Sequence, residues 1–538
     1  MAHLSKVFQK RQVDIPNRSG FDLSFENLLT MKCGTLTPVL CEEVLPGETF
    51  SLGQMTQVQL PPMATDFYGR VDMRMEAFFV PNRIVWGGWE DFWTQPEESP
   101  FADGVSNKPT QVPSARLTSS AIVKTVFTRG GLADYLGMKA DFIAGSTPTE
   151  QVIPNILPFL AYHKICDDWY RNSKVTKPYF IRPSGGGIVQ SYATFMPYLR
   201  NTAQLNTATS AAINLNDGTS LFALRQRPWA KDYYTTATYY PQGSENPSAV
   251  ELVTSSTTGT FTIPQLRSAN VLQRWMERNN IAGFRYGDQI KAQYGVLPAD
   301  AVLDRAMFLG STKFGIYNKS VYQTSAEQES QVTTSNPFGG VASKFATSNG
   351  FGQDSLIDNF TATEHGYIIV IASIVPHAYY STGIRRQLLH SKVGDFAIPL
   401  LQGVGDQAIY LTELHGQMTS GGTGEGVFGY TVENAEYKYH DDEVHGLLCD
   451  GQTLDSFCLQ RSFNAGQAIP LSTSFTEIPT NFMDQVTASS SDMSSYGAWA
   501  DIYFSFKRIS PLSEYVIPTL GDLTNTHKES IPVGGRQL

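Results

Sequence analysis

Asp72-Met73-Arg74-Met75-Glu76-Ala77-Phe78-Phe79-Val80 is the stretch that decides the fold. Arg74 and Glu76 alternate with Met73, Met75, Ala77 and Phe79, the period of two that marks a strand with one drier face. A second run, Tyr367-Ile368-Ile369-Val370-Ile371-Ala372-Ser373-Ile374-Val375-Pro376, is apolar almost throughout. It has the length of a strand and not of a membrane span.

Around these two runs the β signals fall in two blocks. The first extends from about Leu36 to Val80, where Phe50, Leu52 and Val58 to Leu60 are separated by Gly, Gln and Thr. The second begins near Gly366 and takes in Tyr367 to Val375, Ala408 to Leu414, Val427 to Tyr439, Leu471 to Ile478 and Ala498 to Ile509. Ala435-Glu436-Tyr437-Lys438-Tyr439-His440 alternates cleanly, and Ile502, Phe504 and Phe506 share a face. Between the blocks the pattern is helical or irregular. Leu160 to Tyr170 sets Tyr162, Ile165, Cys166 and Trp169 on one helical face. Thr262 and Gln265 fit a capping box, Pro264 suits a first turn, and Leu266, Ala269, Leu272, Trp275 and Met276 form an apolar stripe that Gly283 closes. Asn201 to Ser220, Gly243 to Gly259 and Ser325 to Asn359 are rich in small polar residues and read as surface loops or partly disordered excursions.

The predicted organisation is a basic N-terminal arm over 1–19 and a discontinuous core of 20–81 and 364–515. Insertions fill 82–363, with helices near 158–171 and 263–280, and a C-terminal extension covers 516–538. Antiparallel, half-buried strands with long connections suit a jelly roll. Pattern alone also allows two domains in series, and no 20–50 residue repeat supports a solenoid or propeller.

Composition narrows the function. The 538 residues carry a formal net charge of −10, which disfavours a free-standing DNA-binding protein held by counterion release. A container for nucleic acid, acidic outside and locally basic inside, is compatible with it. Charged residues are 17% and aromatic residues 12%, a balance that suits broad, aromatic-rich protein contacts and equally a plain β-rich composition. The five cysteines form no Cys-x-x-Cys, which argues against a disulfide framework and for a reducing compartment. No apolar leader and no membrane span is visible.

Catalytic signatures are scarce. Gly424-Glu425-Gly426-Val427-Phe428-Gly429 matches a dinucleotide loop only formally, because strand-like residues follow it and no helix does. His440-Asp441-Asp442-Glu443-Val444-His445 lacks the spacing that puts two imidazoles on one helix turn and reads as an acidic turn. No catalytic residue, metal ligand or cofactor is assigned. Two segments suit nucleic acid. Lys6, Lys10, Arg11 and Arg18 make an arm that either follows phosphates or clasps a neighbour. Arg225, Arg227, Trp229 and Lys231 interleave basic and aromatic groups, as in sequence-tolerant binding of single strands, or as in an ordinary aromatic packing corner. A different class, a carbohydrate-binding or carbohydrate-active β-sandwich, would use Trp86, Trp89 and Trp93, although these alternate poorly for one strand face.

A series of segments also recurs in a fixed order: Pro16-Asn17-Arg18-Ser19-Gly20-Phe21-Asp22, Glu43-Val44-Leu45-Pro46-Gly47-Glu48-Thr49-Phe50, Phe78-Phe79-Val80-Pro81-Asn82-Arg83, Asp168-Trp169-Tyr170-Arg171-Asn172, Trp229-Ala230-Lys231-Asp232-Tyr233-Tyr234 and Pro511-Leu512-Ser513-Glu514-Tyr515-Val516-Ile517-Pro518. In this order the chain resembles the major capsid proteins of the microviruses, small icosahedral phages with single-stranded DNA, and looks closer to their gokushovirus-like and gut-phage branches than to the familiar coliphages. The resemblance implies a mainly β protein, an eight-stranded antiparallel jelly roll with long mixed α and loop insertions. It implies a structural protein and no enzyme, about sixty copies closing a T=1 shell by point-group symmetry. It also implies partners: a circular single-stranded DNA genome on the inner surface, a small basic DNA-packaging protein, a pilot or minor capsid protein, and a bacterial surface receptor met through surface loops. Assembly would take place in the host cytoplasm with no membrane involved. Asn201 to Ser220 or Gly243 to Gly259 would correspond to a three-fold protrusion, with Ser325 to Asn359 as a rival. The resemblance supplies no individual DNA-contacting residue.

Overall fold

The computed structural model describes residues 10–16, 18–64, 67–94, 112–117, 119–139, 147–148, 151–180, 205–206, 215, 217, 219–241, 263–282, 285–296, 299–300, 302–323, 343–399, 405–417, 426–464, 469–488, 492–512 and 526–532. Lys6, Thr262, Gly283, the whole of Gly243 to Gly259 and most of Asn201 to Ser220 lie outside them.

The strands in chain order are β1 (Lys10–Pro16), β2 (Ser19–Asp22), β3 (Phe25–Met31), β4 (Thr37–Val44), β5 (Thr49–Gln59), β6 (Val71–Pro81), β7 (Ala115–Leu117), β8 (Gln151–Ile153), β9 (Leu205–Asn206), β10 (Met307–Gln323), β11 (Ser343–Thr361), β12 (Gly366–Pro376), β13 (Gln407–Tyr410), β14 (Val427–Thr431), β15 (Ala498–Ser510) and β16 (Thr526–Pro532). A large antiparallel sheet carries the fold. Its order is β3–β15–β5–β11–β10–β6–β12–β4, with β2 lying beyond β3 along the same edge of β15. Away from it, β1 pairs with β16, so the basic arm is tied in part to the C-terminal segment, Lys10 standing opposite Pro532.

Two cores explain the two diagnostic runs. On β6, Met73, Met75, Ala77 and Phe79 enter one core with Phe50, Leu52, Phe504 and Phe506, while Phe78 and Val80 enter a second. β12 is buried along its whole length because it serves both: Ile368, Val370, Ala372 and Ile374 face the first core, and Tyr367, Ile369 and Ile371 face the second. A strand covered on both faces has no position where a polar residue is free of cost, which is why its sequence does not alternate. β5 and β15 keep one face toward solvent, with Met55, Trp499 and Tyr503 exposed, and so they do alternate.

The second core is roofed by the helix Leu157–Ile165, which runs on as a π turn over Cys166–Tyr170. Pro158 fits its first turn, where an N–H has no helical partner to lose. The Tyr162 hydroxyl donates to the Leu36 carbonyl (2.7 Å) and pins the helix to the chain entering β4. A third core gathers Tyr233, Tyr234, Tyr380, Ile409, Leu414, Phe428 and Phe475 beside the β13–β14 hairpin.

Several expectations are corrected. Ser343 to Asn359, read as loop, belongs to β11, so β10 and β11 both join the main sheet from within 82–363. Ala435–Tyr437 is a 3₁₀ turn and not a strand; Asn434 enters it at φ +56°, Ala435 turns inward and Tyr437 and Tyr439 outward. A single tight turn gives the same inside–outside reading as a short strand. Within Leu471 to Ile478, Thr473–Thr476 is a helical turn, and in Ala408 to Leu414 the strand stops at Tyr410, before a helical turn over Thr412–His415. The helix over Ile263–Ala282 is present, but Leu272 and Trp275 on its apolar stripe are exposed.

Candidate nucleic-acid interface

Arg74 and Glu76 stand on the face of β6 opposite Met73 and Met75, at the foot of a cleft of about 250 Å³. The π turn supplies Trp169 and Tyr170 to its wall, β10 supplies Phe308, and the segment from Arg227 to Lys231 closes it. The π turn matters because its extra residue per turn brings both rings against Phe78, with centroids 5.7 and 6.1 Å away.

Arg227 is the structural centre of the cleft. Its guanidinium donates to both oxygens of Glu76 (2.9 and 2.8 Å) and to Ser373 Oγ (2.8 Å). The Tyr170 hydroxyl donates to the same carboxylate. Burial works against the Arg227 charge, but the hydrogen bonds and charge of Glu76 outweigh it and raise the pKa. Arg74 has the charges of Glu76 and Asp72 nearby but no hydrogen-bonded carboxylate among the described residues. Burial, and then the neighbouring Arg227 charge, lower its pKa, and its Nε has no hydrogen-bond acceptor among the described residues. A desolvated cation with an idle donor favours an incoming anion. Lys231 is exposed at the rim and makes no ion pair among the described residues. Phe308 is 41% exposed and packs edge-on against Phe78 (5.6 Å), which leaves ring surface for a base.

The other sequence-derived candidates sit differently. Trp229 is buried in the first core, edge-on to Phe482 (4.8 Å), so it cannot stack a base without repacking. Arg225 is engaged within the fold. It pairs with Asp217, lies 4.0 Å over the Tyr179 ring, and its Nε donates to His163 Nδ1 (3.4 Å). That contact makes Nδ1 the acceptor, so His163 Nε2–H donates to the Leu221 carbonyl (2.7 Å). Burial pushes the His163 pKa down to about 3. Arg18 is exposed, Lys10 and Arg11 lie on β1, and Lys6 lies outside the described residues. The structure thus brings Arg227, Trp229 and Lys231 together with Arg74 and Phe308, which the sequence reading passed over. The alternation of β6 already placed Arg74 off the first core, but nothing local told that a cleft stood there.

Trp86 is buried in the second core, and Trp89 stacks on Trp93 (5.9 Å, 21°) beside His365. Among the described residues no three His, Cys, Asp or Glu side chains are placed to hold a metal ion, and no helix is long and apolar enough to cross a membrane.

Glu477, bridged through its backbone to Pro228, gives a pH prediction. Burial raises its pKa to about 7 despite Arg225 nearby. A carboxyl raised in the folded state favours folding at low pH, and that contribution is lost as pH climbs from the unfolded value toward and past 7. Glu477→Gln is therefore expected to be more stable than the parent at pH 8, by at most about 3 kcal/mol, and equal to it near pH 4. Urea unfolding at the two pH values checks this. A variant less stable at pH 8 contradicts it.

Taken together, the antiparallel sheet, the layered aromatic cores and the basic cleft define a β-rich structural subunit. A family model described as capsid protein (F protein) matches residues 11–520, and the chain belongs to that family. It is similar to the capsid protein VP1 of Bdellovibrio phage phiMH2K, 24% identical with 93% of this chain and 95% of that protein covered. It is also similar to the capsid protein VP1 of Chlamydia phage 1 (24%; 96% and 98% covered) and of Spiroplasma virus 4 (26%; 80% and 82% covered). These are microviruses, and the chain is a major capsid protein of the virion with a structural role.

Proposed function

We propose that about sixty copies of this chain close a T=1 icosahedral shell around a circular single-stranded DNA genome, each built on an eight-stranded jelly roll. The observation that carries the fold reading is the strand order. Counting β3, β4, β5, β6, β10, β11, β12 and β15 as one to eight, the sheet runs 1-8-3-6-5-4-7-2. First therefore pairs with eighth, second with seventh, third with sixth and fourth with fifth, the nested pairing of one long hairpin rolled into a sandwich. In this reading 20–81 and 364–515 form the core, 82–363 forms insertions from which β10 and β11 return to the sheet, 1–19 is the arm and 516–538 the extension.

Arg74, Lys231 and Phe308 in the cleft, with Lys6, Lys10, Arg11 and Arg18 of the arm, are the groups proposed to meet DNA. Arg227 and Trp229 hold the cleft in shape, and Arg225 is engaged by Asp217 and His163 away from it. The net charge of −10 fits a shell whose genome is neutralised mainly by a small basic packaging protein. A pilot or minor capsid protein and a bacterial receptor, met by surface loops, complete the partners. Assembly in the host cytoplasm needs no membrane.

Fluorescence anisotropy with an oligothymidine tests the cleft. On a single strand, each phosphate that the protein no longer neutralises lowers the slope of log K against log salt by about 0.7. Arg74→Ala with Lys231→Ala is expected to flatten the slope by about 1.4, and Phe308→Ala to weaken binding by about 1–3 kcal/mol with the slope kept. An unchanged slope and affinity in both the double variant and Phe308→Ala removes the cleft from the DNA path.

A further inference from the structure

A larger cavity, of about 500 Å³, lies between the 381–388 segment and the 439–445 turn, away from the cleft. Tyr233, Tyr234 and Tyr380, all buried, form its floor, and Tyr439 stands exposed at its mouth. The three floor hydroxyls are engaged behind the rings. Tyr233 donates to Glu413 Oε2 (2.9 Å), Tyr234 to the Glu413 carbonyl (3.0 Å) and Tyr380 to Asp232 Oδ2 (2.6 Å).

Among the described residues most charged groups of the wall are paired, and His440 sets its Nδ1 2.8 Å from the Asp441 carbonyl oxygen. Arg386 pairs with Glu413 (2.9 Å), and Arg385 and His445 both pair with Glu443. Glu436 accepts from Gln407 Nε2 (2.7 Å). Asp441 accepts one hydrogen bond, from the Tyr233 N–H (3.3 Å), and forms no ion pair among the described residues. Beside it Asp232 is already saturated by Tyr380, Tyr234 and Thr235. Ser381 Oγ, on the same wall, is buried with no hydrogen-bond partner among the described residues. Burial, and then the charge of Asp232, raise the Asp441 pKa to about 6, as fits a carboxylate short of a counter-charge.

We propose that this cavity binds an organic cation, a guanidinium or primary ammonium group, held over the tyrosine rings with Asp441 as counter-ion and Ser381 Oγ as a further acceptor. Aromatic faces attract such a cation most where it is desolvated, and a carboxylate at the same spot sets its orientation. The cation comes either from a basic side chain of a neighbouring chain or from a free polyamine.

Calorimetric titration of the unassembled subunit with agmatine and with spermidine tests the site. The parent is expected to bind saturably, and Asp441→Asn, which keeps the shape, to weaken binding by about tenfold or more. Ser381→Ala, a second variant that keeps the fold, is expected to weaken it less. Repeating the titration on closed particles separates the sources. Binding retained there supports the free polyamine, and binding lost there supports a neighbour's basic side chain. No saturable binding by the parent subunit, or binding undiminished in Asp441→Asn, overturns the proposal. Failure of the parent to form particles would count against the shell and leave the subunit titration standing.

Discussion

Arg227→Ala is expected to lower the stability of the folded subunit by up to about 3–5 kcal/mol, because it strands a carboxylate whose side chain is only 16% exposed. Glu76 receives two N–H bonds from Arg227 and one O–H bond from Tyr170. After the substitution only the tyrosine is left to it, and Ser373 Oγ loses its donor. The cost comes from the abandoned charge more than from the lost attraction, since two buried ions also give up hydration when they pair. Replacing both partners therefore separates the terms. Arg227→Met with Glu76→Met is expected to recover part of the loss, because an apolar pair of similar volume removes the stranded carboxylate while Arg74 gives up the nearby Glu76 charge. Urea unfolding of the unassembled subunit reads both numbers. A single variant within about 1 kcal/mol of the parent would mean that water reaches Glu76 freely and that Arg227 is available for other work, DNA included.

Ile368→Ala and Ile369→Ala are each expected to cost about 2–5 kcal/mol, although they are neighbours on one strand. Successive side chains of a strand point to opposite faces, so an ordinary half-buried strand would show one large and one small effect. Here Ile368 and Ile369 are both fully buried, in different cores. Met55→Ala, on the open face of β5, supplies the contrast and is expected to stay within about 0.5 kcal/mol. Because the two isoleucines empty separate cavities, the double variant is expected to be close to additive. A silent Ile369→Ala would mean that the helical roof over the second core is not in place.

The parts of this fold legible in the sequence are those where the local pattern and the tertiary surroundings agree. β15 alternates because one face is dry and the other is not, β6 shows its alternation at Arg74 and Glu76, where its second face opens on the cleft before Phe78 and Val80 enter the second core, and Leu157–Ile165 is apolar and helical because it is buried on nearly every side. β11 was not legible. Its register shifts twice against β5, between Ser355 and Ile357 and between Ile357 and Phe360, so Leu356 and Ile357 are both buried and the period of two is lost. Bulges of this kind reset which face a residue meets. Gly310 on β10 has a related role: a Cβ there would come within 2.1 Å of the Leu356 carbonyl oxygen, so only glycine admits the close approach.

The candidate site was legible in its chemistry and not in its geometry. Basic and aromatic residues from Arg225 to Tyr234 stood out, yet what each one does is set by partners far along the chain. Glu76 claims Arg227 across 151 positions, and the core around Phe482 claims Trp229. Arg74 was visible only as the polar residue of an alternating strand, and its idle Nε appears once the π turn and β10 enclose it.

The most direct test of the shell is cryo-electron microscopy with sedimentation of the expressed chain, with and without a small basic packaging protein and DNA. Closed isometric particles of about sixty 59.4 kDa subunits, with the rolled eight-stranded body repeated under icosahedral symmetry, are the predicted result. A monodisperse monomer under every condition, or open sheets and fibres without closure, would contradict it.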